Sequence, residues 1–139
     1  MSDVTEGKGA CLCGAVRFKA KNAQKSMGAC HCGMCQKWGG GPFMSVRCES
    51  QVTFEGQDSI TQFSSSEWAD RGFCKHCGTH LFFRLKENDH HFMPAGLFDD
   101  QGDFTFDRQV YIDCKPHYYS FSNETRNIIE TEILNMLGK

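Results

Sequence analysis

The sequence predicts an all-β, layered β-sheet fold that ends in a short C-terminal helix. Three observations lead there. Short runs of alternating apolar and polar residues recur along the chain, turn-forming residues separate them, and apolar positions repeat at helical spacing only near the end. At 139 residues the chain suits a single domain able to bury about two-thirds of the surface its unfolded form exposes.

Taken in order, residues 1–8 read as a short mobile lead. From Ala15, Val16 and Phe18 alternate with Arg17 and Lys19, as in a half-buried strand. A polar connection over 21–26 leads to a cysteine-rich hexapeptide at 30–35. Gly39, Gly40, Gly41 and Pro42 then make a turn, and a second strand follows over 43–48. Segments 51–54, 60–63 and 68–73 are further short strands. Segment 79–85 alternates Leu81, Phe83 and Leu85 against His80, Phe82 and Arg84. Pro94 removes a ladder donor from 91–97 and places that segment at an edge or a bend. Segments 104–106, 109–112 and 118–121 complete the strands. Ile129, Ile133, Met136 and Leu137 recur at helical spacing, with Asn123 or Thr125 as cap, Glu124 in the first turn and Gly138 as stop. The expected role of this helix is packing or an oligomer contact.

Seven of the nine cysteines fall in three clusters: Cys11 and Cys13, then Cys30, Cys32 and Cys35, then Cys74 and Cys77. Cysteines so close on a turn can aim their sulfurs at a common centre, as a tetrahedral zinc ion at about 2.3 Å from each thiolate requires. A disulfide across a single residue of extended chain would be strained. The two pairs divide naturally into one closed site, Cys11, Cys13, Cys74 and Cys77. The triple cluster then holds a second ion with three protein ligands, and such sites keep a position for water or substrate. The competing possibility is that both sites only staple the fold, with Cys48 or Cys114 closing the second; spacing alone does not fix the pairing. A redox-sensing cluster is a further alternative, and it requires disulfides.

Composition narrows the function classes. The chain is 40% hydrophobic and 12% aromatic, enough for a packed core, with a formal charge of −2. Seven metal-bound thiolates against two Zn²⁺ would add about three negative charges. No run of Lys and Arg resembles a nucleic-acid surface. Residues 1–9 lack the apolar core of a signal peptide, and no apolar stretch approaches membrane-spanning length. The expectation is a cytoplasmic protein, with no nucleic-acid or membrane partner, whose thiols stay reduced.

The residues also resemble a known family. Gly9, Ala10, Cys11, Leu12, Cys13, Gly14, Ala15 and Val16, the Cys30-His31-Cys32 and Cys35 cluster, Ser65 and Ser66, then Arg71, Gly72, Phe73, Cys74, Cys77, Gly78, Thr79, Leu81 and Phe82 match it. So does the late segment with Ile112, Asp113, Lys115, Pro116 and Tyr119. Together they resemble the glutathione-dependent formaldehyde-activating enzyme and centromere protein V domain family, over a domain at 7–121 followed by a helical tail at 122–139. The resemblance implies a zinc-binding fold similar to that of the Mss4-like proteins. It implies a structural zinc on Cys11, Cys13, Cys74 and Cys77, and an activity-associated zinc on Cys30, Cys32 and Cys35. It also implies a carbon-sulfur lyase, similar to S-hydroxymethylglutathione synthase, that joins glutathione to formaldehyde. The alternative is a non-catalytic, zinc-stapled binding module.

For an open three-thiolate zinc, the expected chemistry is capture of a substrate thiol, deprotonated on coordination, which then attacks a small aldehyde. Glutathione is anionic, so Lys37, Arg47, Arg71 and Lys115 are candidate contacts, with Trp38 as a flat wall. Against these stand the ordinary roles of a solvated lysine and a core tryptophan. His31 and His76 are expected at the surface or behind the ligands, and His90, His91 and His117 in structural roles. Gly33 and Gly78 are expected to supply positive φ in tight knuckles.

Overall fold

The computed structural model describes residues 3–138; Met1, Ser2 and Lys139, the ends of the expected lead and tail, lie outside the described residues. In chain order the elements are β1 (Val4–Ala10), β2 (Arg17–Gln24), β3 (Ser26–Cys30), α1 (Gly33–Gly39), β4 (Phe43–Glu49), β5 (Val52–Glu55), β6 (Ile60–Ser66), β7 (Ala69–Cys74), β8 (His80–Leu85), β9 (His91–Pro94), β10 (Thr105–Val110), β11 (Arg126–Ile128) and α2 (Glu130–Met136). The protein is mainly β with a short C-terminal helix, as the alternation predicts. No described helix is long and apolar enough to cross a membrane.

The chain forms two compact units, residues 3–25 with 46–104, and residues 26–45 with 105–138. In the first, β2 lies between β1 and β5, antiparallel to both. Phe18 and Ala20 of β2 turn inward while Arg17, Lys19 and Lys21 face solvent, and Phe18 meets Phe98 edge-on at 5.0 Å. The expected mobile lead is therefore largely a strand: Gly7, Lys8, Gly9 and Ala10 pair with Ala20, Lys19, Phe18 and Arg17. Its polar, glycine-containing sequence carries little strand propensity, so the ladder to β2 supplies the order.

The same unit contains the meander β6, β7, β8 and β9, each antiparallel to the next. Leu81 and Phe82 are both buried, so β8 is covered on both faces rather than on the single face its alternation suggests. Asp70 stands opposite Arg84 in the register and pairs with it at 2.5 Å. Pro94 is the last residue of β9, an end position where a missing N–H is tolerated.

In the second unit β10 runs parallel to both β3 and β11, and β3 is antiparallel to β4. The two expected strands at 104–106 and 109–112 merge into β10. Segment 118–121 is not a strand; it packs aromatics instead, Phe121 against Phe106 at 5.0 Å and against Tyr119 at 5.8 Å. The expected helix is shorter, because 126–128 form β11. Its caps also differ: Asp113 Oδ1 accepts from the Glu130 N–H at 3.0 Å and Glu132 Oε1 from the Ile129 N–H at 3.4 Å.

Candidate functional site

None of the nine cysteines, all among the described residues, is in a disulfide, and seven of them form two groups within each of which the sulfurs lie within 4.8 Å of one another. Cys11, Cys13, Cys74 and Cys77 are one group; Cys30, Cys32 and Cys35 are the other.

Two knuckles of the first unit build the four-thiol group. At the end of β1 the Cys11 N–H donates to the Val16 carbonyl at 2.9 Å and the Gly14 N–H to the Cys11 carbonyl at 3.0 Å. At the end of β7 the Cys74 N–H donates to the Thr79 carbonyl at 2.9 Å and the Gly78 N–H to the Cys74 carbonyl at 2.8 Å. Each knuckle turns on a left-handed glycine, Gly14 at φ 80° and Gly78 at φ 76°, where a Cβ would be strained. Thr79 joins the two: its hydroxyl accepts from the Leu12 N–H at 3.1 Å and stands 3.1 Å from Cys77 Sγ. Hydrogen bonds from the Thr79 hydroxyl and N–H draw the Cys77 thiol down to about 5. Sulfurs of Cys11 and Cys13 are 3.6 Å apart and those of Cys13 and Cys74 3.7 Å. A tetrahedron of thiolates at zinc's bond length has edges of about 3.8 Å, whereas a disulfide would be about 2 Å. The donor set and its spacing fit zinc.

The three-thiol group is built differently. Cys30 ends β3 and is held on both sides, opposite Phe43 of β4 and Val110 of β10. Cys32 is the N-cap of α1, its sulfur accepting from the Cys35 N–H at 3.4 Å. Cys35 is the buried residue of that helix. The expected loop is thus a strand end leading into a helix, and Gly33, in its first turn, has no positive φ. The left-handed glycine is Gly40, at φ 82°, which closes α1. Shared hydrogen bonding with Cys32 and Cys35, together with burial, pushes the Cys30 thiol far above the usual range. Three sulfurs this close ionise together only when a cation neutralises them, so this set also fits a thiophilic ion such as zinc.

Among the described residues no fourth sulfur groups with them. Cys48 is fully buried in β4 within the first unit, its thiol 3.6 Å from the Val46 carbonyl and pushed up to about 12 by burial. Cys114 groups instead with Asp113 and Glu130, and Asp113 is engaged in capping α2.

The residues behind the three-thiol group carry little sequence signal. His31, expected at the surface or behind the ligands, is completely buried. Its Nδ1 lies 2.7 Å from the Tyr119 hydroxyl and its Nε2 2.8 Å from Gln109 Oε1. The Gln36 amide donates to the carbonyls of His31 at 2.8 Å and Cys114 at 3.1 Å. Tyr111 holds a left-handed backbone at φ 55°, rare for a bulky residue. Burial, then the Cys32 and Cys30 thiols, push its phenol up to about 12, so it stays protonated. Gln36, one residue beyond Cys35, could have been suspected from its place in the sequence.

Of the candidate basic contacts, Lys37 is exposed on α1 and Trp38 is half-buried. Lys115 donates to the carbonyls of Pro116 and Tyr119 and sits 4.7 Å over the Tyr119 ring. Arg47 and Arg71 belong to the first unit. There Arg47 reaches His90 Nδ1 at 2.7 Å, and Arg71, 3% exposed, lies 4.9 Å over the Phe83 ring. His76 Nε2 is 3.2 Å from the Ser59 hydroxyl, and His117 packs against Tyr118. His91 is buried against Phe54 and Phe82.

With this geometry in hand, comparison with known proteins places the chain. Residues 6–114 match the family described as glutathione-dependent formaldehyde-activating enzyme, and the chain belongs to that family. An uncharacterized lyase of Schizosaccharomyces pombe is 36% identical over 135 residues, covering 96% of this chain and 98% of that protein. In fold, the chain is similar to the crystal structure of a Rhodobacter sphaeroides protein, with a TM-score of 0.57 and 21% identity over 71% of this chain and 98% of the other.

Proposed function

We propose that Cys30, Cys32 and Cys35 hold a zinc ion that binds glutathione or a similar small thiol, and that the protein promotes adduct formation between this thiol and formaldehyde or another small aldehyde. In that role it is a carbon-sulfur lyase acting on S-hydroxymethylglutathione or a close analogue. Cys11, Cys13, Cys74 and Cys77 hold a second, structural zinc. The carrying observation is the contrast between the groups: four sulfurs in one, three in the other, with neither Cys48 nor Cys114 grouped with the three.

Cys30, Cys32 and Cys35 would hold the zinc, which would supply an electron-pair acceptor that lowers the pKa of a bound thiol. The chain's own residues set the rest. Three cysteinates leave the centre with a net charge of about −1, so it suits a fourth thiolate better than it suits polarising a carbonyl. Cys32, fixed as a helix cap, and Cys30, fixed between two strands, keep two of the sulfurs in register. Lys37, exposed on the helix that carries Cys35, is a cation available to an anionic thiol.

Zinc analysis combined with thiol titration tests this reading. The native protein is expected to carry two zinc ions and to release a proton as glutathione binds. Cys32→Ser is expected to carry one ion and to lose thiol binding and acceleration of adduct formation together. A Cys32→Ser protein with one zinc and full activity overturns the mechanism. Two zinc ions in the native protein with no thiol binding would instead identify a zinc-stapled binding module.

A further inference from the structure

We infer that His31 is a positioning residue, the centre of a hydrogen-bonded line from Thr125 through Gln109 and His31 to Tyr119 that fixes the three-thiol group and sets how slowly it exchanges metal. The inference rests on the reading above that this group holds zinc.

His31 stands between two of the three sulfur donors, and all four of its polar groups are occupied. Its N–H donates to the Val110 carbonyl at 3.1 Å and its carbonyl accepts from Gln36 at 2.8 Å. The ring nitrogens meet Tyr119 at 2.7 Å and Gln109 at 2.8 Å. The direction of the line follows from its far end. Thr125 donates its hydroxyl proton to Asn127 Oδ1 at 2.7 Å and accepts from Gln109 Nε2 at 2.9 Å. Gln109 therefore turns its carbonyl oxygen to His31, so His31 Nε2 carries the ring proton and Nδ1 accepts from the Tyr119 O–H. Each ring nitrogen thus has a complementary partner. Lys115 in turn holds Tyr119 by its carbonyl and its ring.

A fully buried residue held at four points cannot rotate, and the peptide units that carry Cys30 and Cys32 share its backbone. Partners behind a metal's ligands typically change metal affinity by about 10- to 100-fold when removed. Buried polar networks are also costly to leave half-satisfied. Removing the Tyr119 hydroxyl leaves Nδ1 without a donor; removing the Gln109 amide leaves the Nε2 proton without an acceptor.

The test is zinc transfer from the two-zinc protein to a chromogenic chelator. The native protein is expected to release zinc in two phases, the faster one assigned by its absence in Cys32→Ser. Tyr119→Phe and Gln109→Leu are each expected to accelerate the fast phase by about 10- to 100-fold while the slow phase holds, with some loss of melting temperature from the half-satisfied network. His31→Gln, whose amide can restore one ring hydrogen bond, should lie between these variants and His31→Ala. The charge-transfer spectrum of the cobalt-substituted protein should shift in the same order. An unmoved fast phase in both Tyr119→Phe and Gln109→Leu overturns the inference, as does equal acceleration of both phases, which marks general loosening. Should the native protein carry a single zinc, the reading beneath the inference fails with it. Two native phases with no variant effect would sink the positioning role alone.

Discussion

The two thiol centres solve one chemical problem with opposite constructions. In the four-thiol centre the ligands come from knuckles distant in sequence, Cys13 and Cys74 being 61 residues apart, and main-chain N–H groups plus Thr79 order each knuckle. In the three-thiol centre the ligands lie within one stretch, from the end of β3 to the first turn of α1, and side chains remote in sequence hold that stretch from behind. A clip that closes a long loop removes much of the unfolded chain's entropy, so a metal at the first centre would be coupled to folding. Metal within six residues restrains little of the chain. On the proposed reading, the difference would give stability to one centre and leave the other free for exchange and chemistry.

Paired ligand substitutions should break the comparison most visibly. Structural zinc contributes about 10–16 kcal/mol in zinc-finger peptides, comparable to the whole stability of a domain. Cys74→Ser is therefore expected to abolish cooperative unfolding of the first unit. Cys32→Ser should keep a cooperative melt and lower the zinc content from two to one. Circular dichroism melts with metal analysis read both. Equal damage from the two substitutions would remove the division of labour.

How much of this was legible in the sequence depends on the range of the forces involved. The cysteine clusters were legible because ligand spacing on a turn is local, and β2, β4 and β8 because their alternation is local. β1, β3 and β11 were not. Val4–Ala10 is polar and glycine-containing, Ser26–Cys30 is short, and Arg126–Ile128 falls inside an apolar pattern that also fits a helix. Each is a strand because of its partner rather than its own pattern, β1 through its ladder to β2 and β3 and β11 through parallel ladders to β10. Helix α1 was hidden by its two glycines and is specified by the Cys32 cap and the left-handed Gly40. The partners of His31 were unreadable for the same reason: Gln109 and Tyr119 lie 78 and 88 residues away.

The glycines of the four-thiol centre give the next largest effect. Gly78 sits at φ 76°, and a Cβ there meets nothing within 4 Å, so the cost of a side chain comes from the backbone alone. Gly78→Val should cost about 1–3 kcal/mol and speed zinc loss from this centre without touching the other. An unchanged melting temperature and unchanged slow zinc phase would show that the knuckle tolerates another conformation.

A sulfur-independent pH effect should follow in size. Burial holds His91 of the first unit below its usual value of 6.5, only partly offset by the Asp89 carboxylate, and its Nδ1 is buried without a hydrogen-bond partner. The folded form then binds fewer protons than the unfolded form below about pH 6.5, so stability falls as pH falls. The slope for one proton is at most about 1.4 kcal/mol per pH unit. Urea midpoints at pH 7.5 and 5.5 should drop less in His91→Phe than in the native protein. Identical drops would leave the loss to thiolate protonation alone.

The smallest effect is the most discriminating, because it reverses the sign of a glycine substitution between the two centres. Gly33 lies in the first turn of α1, outside the left-handed region, with nothing within 4 Å of where a Cβ would stand. Alanine there meets no strain and reduces the freedom of the unfolded chain, so Gly33→Ala should stabilise by about 0.4–1 kcal/mol, whereas substitution at Gly78 destabilises. The gain should appear as a higher urea midpoint with the zinc content still two. A loss at Gly33 would mean that this helix start must deform when its sulfurs work, and the three-thiol centre would then depend on backbone freedom as the four-thiol centre does.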